Sequence, residues 1–325
     1  MLALAHIWML AAALLLDALV GDPDWLWRRV PHPAALIGRL IARLDRDANR
    51  DADSPVARRL AGVAVMAIVV VWAYVVGFLL ELLFSALPYG WIGTVVCAAI
   101  LLAGRSLEIH VRAVHDAFAE GGLDAARMAV SRIVGRDPNT LDEAGVSRAA
   151  IESLAENFSD AVVAPALWFA VLGLPGMLAY KAINTADSMI GHLSPRHRDF
   201  GWAAARLDDL VNLPASRIAG GLLALAAPAV GGSIATAFAV MRRDARQHRS
   251  PNAGWPESAM AGALGIALLG PRVYEGRLSA APYQNAEGRT ATPADIRRGL
   301  IVYVVAGAIL LAVATIAGAF VIDLG

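Results

Sequence analysis

The sequence predicts an all-α, polytopic integral membrane protein, and three observations carry that prediction. The chain has 325 residues, of which 58% are hydrophobic, and its mean hydropathy is +0.55, too apolar for an ordinary soluble domain. Several uncharged runs approach the about 20 residues that a helix needs to cross a bilayer. Two further apolar runs are interrupted centrally by Pro and Gly, which marks discontinuous or re-entrant elements, tolerated where protein covers the backbone or a cavity adjoins it. The expected architecture is about four full spans plus two broken re-entrant or buried hairpins, with helical cytoplasmic loops, in a single domain over 1–325.

The elements follow in order. Met1–Leu16 is apolar and extends past Asp17 to Val20, giving a first span near 2–20. Nothing basic precedes it, so it reads as a retained span and not as a cleavable signal peptide. Asp17 is an ionisable group inside a membrane-length run. It is either a functional group by default or the partner of an Arg near the helix end. "GDPDWLW" (21–27) is a turn whose Trp25 and Trp27 suit the membrane interface, and "RLDRDANRDADSPVARR" (43–59) is a solvated, charge-mixed loop in the polar segment 21–59. Spans near 60–80 and 84–104 follow, then a polar segment 105–160. The run 161–180 is broken by "GLPG", and 218–241 by "APAVGG". Polar segments 181–217 and 242–298 flank the second run, and 299–322 is the last span.

The 28 basic and 28 acidic side chains balance, so no nucleic acid or other polyanion is indicated as a partner. Their placement is more informative. Every Lys and Arg falls within Arg28–Arg59, Arg105–Arg148, Lys181–Arg217 or Arg242–Arg298. Under the positive-inside rule the two termini lie outside and the basic loops are cytoplasmic, which places the protein in the cell (inner) membrane with its polar loops toward the cytoplasm. The alternative, in which both broken runs cross fully, puts 181–217 outside. Cys97 is the sole cysteine, so neither an intrachain disulfide nor a cysteine metal site can form.

Chemistry concentrates where polar blocks meet apolar runs. In "RAAIESLAENFSDAVVAP" (148–165), Glu152, Glu156 and Asp160 stand at i, i+4 and i+8, so helical spacing gives an acidic stripe whose members repel one another. Arg148 offsets one end, and a divalent cation would relieve the rest. In "GRSLEIHVRAVHDAF" (104–118), an amphipathic helix carries Arg105 and His110. "GRDPNT" (135–140) breaks the next helix, with Asn139 or Thr140 able to cap its successor, and Arg132 and Arg136 flank Gly135 as a phosphate-binding corner. "YKAINTADSMIGH" (180–192) holds Lys181, the only lysine beside 27 arginines, with Asn184 and Ser188 on its face and Asp187 and His192 near the edges. "FGWAAARLDDLVNLPASR" (200–217) places Asp208 and Asn212 at i,i+4 beside Arg206. "SPNAGWPESAMAGALG" (250–265) is a Pro/Gly-rich loop entering an uncharged run. Carboxylates with amide and hydroxyl neighbours are the hard oxygen ligands of Mg²⁺ and its phosphates, and Arg and Lys can hold phosphates. The residues alone fit an enzyme and a transporter of phosphate-bearing substrates equally. No Walker, Rossmann, HExxH or GxSxG motif is present.

At these blocks the chain resembles the adenosylcobinamide-phosphate synthase family of cobalamin biosynthesis, CobD/CbiB. The matching text includes "LLLDALVGDP", "VPHPAALIGRLI", "GRSLEIHVRAV", "AVSRIVGRD", "RAAIESLAENFSDAVVAP", "YKAINTADSMIGH", "FGWAAARLDDLVN" and "SPNAGWPESAMAGALG", in family order over nearly the whole length. Ala161, Leu193 and His197 depart from the family's pattern. The resemblance implies a membrane ligase that joins adenosylcobyric acid to (R)-1-amino-2-propanol O-phosphate, with ATP and Mg²⁺, and other late cobalamin-assembly enzymes as neighbours in the pathway. Set against that reaction, the polar residues are expected to serve catalysis at Glu152, Glu156, Asp160 and His192, and metal binding at Glu156, Asp160, Asp187 and Asp208; these roles come from the residues, not from the family. Substrate and phosphate would be held by Arg105, His110, Arg132, Arg136, Asn157, Lys181, Asn184, Ser188 and Arg206. A corrinoid transporter and an AmpE-like regulatory protein are the competing readings.

Overall fold

A computed structural model of the chain describes residues 2–134, 138–274, 277–279 and 281–323. The helices are α1 (Leu2–Val20), α2 (Asp24–Trp27), α3 (Pro33–Ala48), α4 (Pro55–Ser85), α5 (Trp91–Leu101), α6 (Gly104–Val130), α7 (Glu143–Phe158), α8 (Ala164–Ile190), α9 (Trp202–Val211), α10 (Leu213–Leu225), α11 (Ile234–Asp244), α12 (Gly254–Leu264) and α13 (Pro293–Asp323). A π-helical turn, Ser159–Val163, joins α7 to α8. The strands β1 (Leu268–Leu269), β2 (Arg272–Tyr274), β3 (Arg277–Ser279) and β4 (Tyr283–Gln284) form two short antiparallel pairs, β1 with β4 and β2 with β3.

Local chemistry sets several of these boundaries. Ser54 accepts the Ala57 amide at 3.3 Å, and Pro55 opens α4, where a missing N–H costs nothing. His32 does the same for α3 through Nδ1, accepting the Ala34 amide at 3.1 Å ahead of Pro33. The cap of α7 is Asp142, which accepts the Gly145 amide at 2.7 Å. Asn139 and Thr140, the expected caps, lie instead in a 3-10 turn. A carboxylate at a helix N-terminus also meets the positive end of the helix dipole, which favours Asp142 over either.

Among the described residues, four helical runs are long and apolar enough to cross a membrane: Pro55–Ser85, Trp91–Val130, Glu143–Ile190 and Pro293–Phe320. This is the polytopic all-α class that composition predicts. The expected first span is matched by α1, Leu2–Val20. The run at 161–180 lies inside the long helical stretch Glu143–Ile190 instead of forming a separate hairpin. Its interruption does occur: Gly173 leaves helical geometry at φ 67°, ψ −155°, a conformation open only to glycine, and Pro175 removes a donor two residues on. At "APAVGG" a 3-10 turn and left-handed Gly231 (φ 74°) separate α10 from α11. Along α4, Val63, Ile68, Val71, Trp72, Val75, Phe78, Leu79 and Leu82 are exposed, the apolar surface a lipid-facing helix presents.

The helices gather as two compact units. Unit 1 comprises Met1–Ala103, Ala164–Asn212 and Ala314–Gly325; unit 2 comprises Gly104–Val163 and Leu213–Val313. In unit 1, α8 is the hub and packs on α1, α3, α4, α5 and α9. The α4–α8 contact is so close that a Cβ on Gly77 would stand 2.6 Å from the Pro175 Cα. Beside the α8 break, His6 Nε2 pairs with the Glu81 carboxylate, which occupies the space a side chain at residue 173 would need. Glu81 is the one charge in the apolar length of α4 that follows Arg59, and this pair explains how it is tolerated there. Asp17 is also buried, 6% exposed. In unit 2, α12 consists almost wholly of buried residues and packs on α7, α10 and α11.

Candidate functional site

In unit 1, the C-terminal part of α8 and the returning α9 carry the richest polar cluster of the predicted residues. The turn after α8 begins with the Gly191 amide donating to the Asp187 carbonyl at 2.7 Å and closes with Gly201 donating to His197 at 2.7 Å, which brings α9 back onto α8. Asn184 Nδ2 donates to Asp208 Oδ1 at 3.4 Å. Buried Tyr180 donates its hydroxyl to Asn212 Oδ1 at 3.0 Å, and the Asn212 side chain in turn hydrogen-bonds Asp208. Ser188 donates to the Asn184 carbonyl at 3.0 Å, and Arg206 pairs with Asp209 at 3.2 Å. His192 is exposed beyond the helix end; its ring meets that of His197 edge-on, with centroids 5.3 Å apart.

The electrostatics of this cluster are unbalanced. Burial, then the neighbouring Asp187 charge, push the Asp208 carboxyl up to about 7, against opposing hydrogen bonds from Asn184 and Asn212. Burial also raises Asp209, with Arg206 resisting. Carboxylates raised by burial and by one another are the ordinary signature of a site awaiting a cation or a proton.

The other predicted residues belong to unit 2. Glu152 and Glu156 lie on α7, but Asp160 follows in the π turn, so the stripe is not one continuous α-helical face. Bonding from i to i+5 turns each residue through less than the α-helical angle, and such turns cluster at functional sites. Glu152 is buried, and its Oε1 accepts the Leu269 amide at 2.7 Å, while Glu156 is exposed and Asp160 half-buried. Asn157 donates to the Ser153 carbonyl at 2.9 Å and to its hydroxyl. Arg105, with Arg112, pairs with Glu108, and His110 Nδ1 contacts the Ser106 carbonyl at 2.7 Å. These bonds keep Arg105, His110 and Asn157 occupied within their own helices. Arg132 is exposed after α6, and Arg136 lies outside the described residues.

Among the described residues, no three His, Cys, Asp or Glu side chains stand together as a metal cage. Of the four carboxylates expected to hold metal, Glu156 and Asp160 belong to unit 2 and Asp187 and Asp208 to unit 1. A pair of carboxylates with amide neighbours still fits Mg²⁺, which usually keeps its waters and adds substrate phosphates to one or two carboxylates. Lys181 and Ser188 lie on α8, the helix that also carries Asn184 and Asp187. Two contributors are absent from the predicted set: Tyr180 and Asn212, which brace Asp208. Asn212 was signalled by its i,i+4 spacing from Asp208; Tyr180, an aromatic in an apolar run, gave no signal.

The family model described as CobD/Cbib protein matches residues 10–303. Among relatives, the "Cobalamin biosynthesis protein CobD" of Sinorhizobium sp is 53% identical over 301 residues, covering 91% of this chain and 93% of its own length. Proteins of the same description from Sinorhizobium fredii and Rhodobacter capsulatus are 54% and 49% identical. They cover 88% and 91% of this chain, and 89% and 92% of their own lengths. No solved structure matches the chain.

Proposed function

The chain belongs to the CobD/CbiB family, and from that premise we propose that it is a cobalamin-biosynthesis enzyme that makes adenosylcobinamide phosphate. The reaction is amide formation between a propionate carboxyl of adenosylcobyric acid and the amine of (R)-1-amino-2-propanol O-phosphate. The observation that carries this reading is Asp208, a buried carboxyl acted on by the neighbouring Asp187 charge and braced by Asn184 and Asn212.

A carboxylate is a poor acyl donor because oxide would have to leave, so ATP is the co-substrate. A carboxylate oxygen of the corrin attacks the terminal phosphorus and ADP leaves. The amine then displaces inorganic phosphate from the acyl phosphate, giving the amide and releasing one proton. Mg²⁺, when bound, would neutralise phosphate charge as these bonds change. Asp187 and Asp208 would hold it, oriented through Asn184 and Asn212. Lys181, Ser188 and Arg206 face phosphate oxygens in this reading, and exposed His192 accepts the proton from the ammonium. In unit 2, Glu156 and Asp160 are carboxylates that a ligand can reach; Glu152, fixed to the Leu269 amide, is assigned no chemical role. The site faces the cytoplasm of the inner membrane, where ATP and the other late cobalamin enzymes are at hand.

The test is direct. Purified protein in lipid nanodiscs with adenosylcobyric acid, the aminopropanol phosphate, ATP and Mg²⁺ should yield adenosylcobinamide phosphate and ADP in equal amounts by mass spectrometry. No product, together with corrinoid uptake into vesicles carrying the protein, would overturn the synthase reading in favour of transport.

A further inference from the structure

The block "SPNAGWPESAMAGALG" is left unused by the reaction above, and the structure joins it to the start of α10. Arg217 lies with its guanidinium over the Trp255 ring, 4.6 Å from the centroid. Its Nη1 donates to Asn252 Oδ1 at 2.8 Å, to Ser216 Oγ at 2.9 Å and to the Leu213 carbonyl at 3.0 Å. Ser216 is fully buried and donates to the same Asn252 oxygen at 3.1 Å; Asn252 is 6% exposed. All of these residues belong to unit 2. The guanidinium is thus locked in one plane by an aromatic face and an amide.

Arg217 is held in place without being neutralised. Among the described residues, no carboxylate forms an ion pair with Arg217 or with Arg246. The nearby acids are engaged elsewhere: Asp244 with Arg243, and Glu257 beside His248. Arg246 is exposed on the 3-10 turn after α11, a turn that packs on α12, the helix carrying Trp255. It lies near enough for its charge to act unfavourably on Arg217. An unneutralised guanidinium on a rigid, half-buried corner, with a second cation on the turn packed against the helix of Trp255, is stabilised by an anion. A planar guanidinium with free donor edges selects an oxyanion able to accept two parallel N–H bonds. Among the described residues, the bonds of Arg217 all run through Nη1, which leaves Nε and Nη2 as such an edge.

We infer that Arg217 and Arg246, with Arg217 fixed by Trp255, Ser216 and Asn252, form a binding site for a phosphate group in unit 2. The phosphate could belong to a soluble phosphate compound or to the headgroup of an anionic lipid, since the recognition chemistry is the same. The inference does not depend on the synthase reading, and its test uses binding without turnover.

In nanodiscs of neutral lipid, inorganic phosphate and pyrophosphate are titrated calorimetrically into the wild-type protein and into Arg246→Gln and Arg217→Lys. Arg246 is exposed, so its variant should fold normally; Arg217→Lys keeps the charge but loses the stacked fork. Expected is pyrophosphate binding weakened at least about tenfold in both variants. A parallel arm measures, by native mass spectrometry, retention of phosphatidylglycerol from mixed vesicles. If soluble phosphates do not bind but the anionic lipid is retained by wild type and lost from both variants, the site stands with the lipid as its source. If neither probe distinguishes wild type from the two variants, the site does not exist.

Discussion

Two sets of carboxylates in the molecule live in opposite circumstances. In unit 2, Asp295 is 1% exposed and accepts bonds from Arg289, Arg298 and both the amide and hydroxyl of Thr292. Asp244 accepts from Arg243 and from the Asn285 amide at 2.7 Å, and Glu152 accepts the Leu269 amide. Leu269 has φ 61°, a left-handed conformation costly for a leucine, so the Glu152 bond holds a strained residue at the β1–β4 pair. In unit 1, Asp208 receives two amide bonds and faces Asp187. Acids saturated by the fold's own donors fix structure; acids left with a charge deficit await a ligand. The residue type is the same, and the number of donors around it decides the role.

The largest effect expected from this contrast is on turnover. Asp208→Asn removes a ligating charge yet keeps the amide-sized shape, so the rate of amide formation should fall about 100- to 1,000-fold. Thermal stability should hold steady or rise, because a repelling charge has gone. A fully active variant would mean that the cluster is structural and the contrast is wrong. Glu152→Gln should do the reverse. Leaving the Leu269 amide with a weaker acceptor should cost about 1–3 kcal/mol of stability, while turnover per folded molecule persists. A stable but inactive Glu152→Gln protein would restore the catalytic role that the sequence pattern suggested for it.

The contrast also shows what the sequence could and could not reveal. Hydropathy located the apolar runs because membrane spans are continuous in sequence, and Pro and Gly marked the breaks because both restrict the backbone locally. Asp187, Asn184 and Asp208 were legible because helical spacing and a short return bring them together. The part played by Glu152 was not, because its partner amide comes from Leu269, 117 residues away, in a two-residue strand with no periodicity to read. The His6–Glu81 pair was hidden for the same reason: His6 and Glu81 are separated by 75 residues, and their meeting depends on tertiary packing at the Gly173 break. Spacing placed three acids on one stripe, but only coordinates could show that a π turn intervenes before Asp160.

A smaller and sharper test separates Asp208 from Asp244 by the sign of their pH dependence. Asp208 rises from 3.8 to about 7 on folding. Between those values the folded protein keeps a proton that the unfolded chain has released, so the stability this group contributes falls as pH climbs from about 4 to about 7. Asp244 is lowered on folding, by hydrogen bonds from Arg243 and the Asn285 amide that outweigh burial. Its contribution is therefore present above about pH 4 and is lost as pH drops through its folded value. Thermal unfolding in detergent with divalent cations chelated should show both limbs. Asp208→Asn should flatten the decline between pH 4 and 7 and leave the acid limb, whereas Asp244→Asn should lower stability at pH 7 and erase part of the acid limb. Adding Mg²⁺ at pH 7.5 should raise the melting temperature of the wild-type protein and not that of Asp208→Asn, since a cation stabilises only the ionised carboxylate. Identical slopes for wild type and Asp208→Asn would remove the charge deficit on which the distinction between the two sets of carboxylates rests.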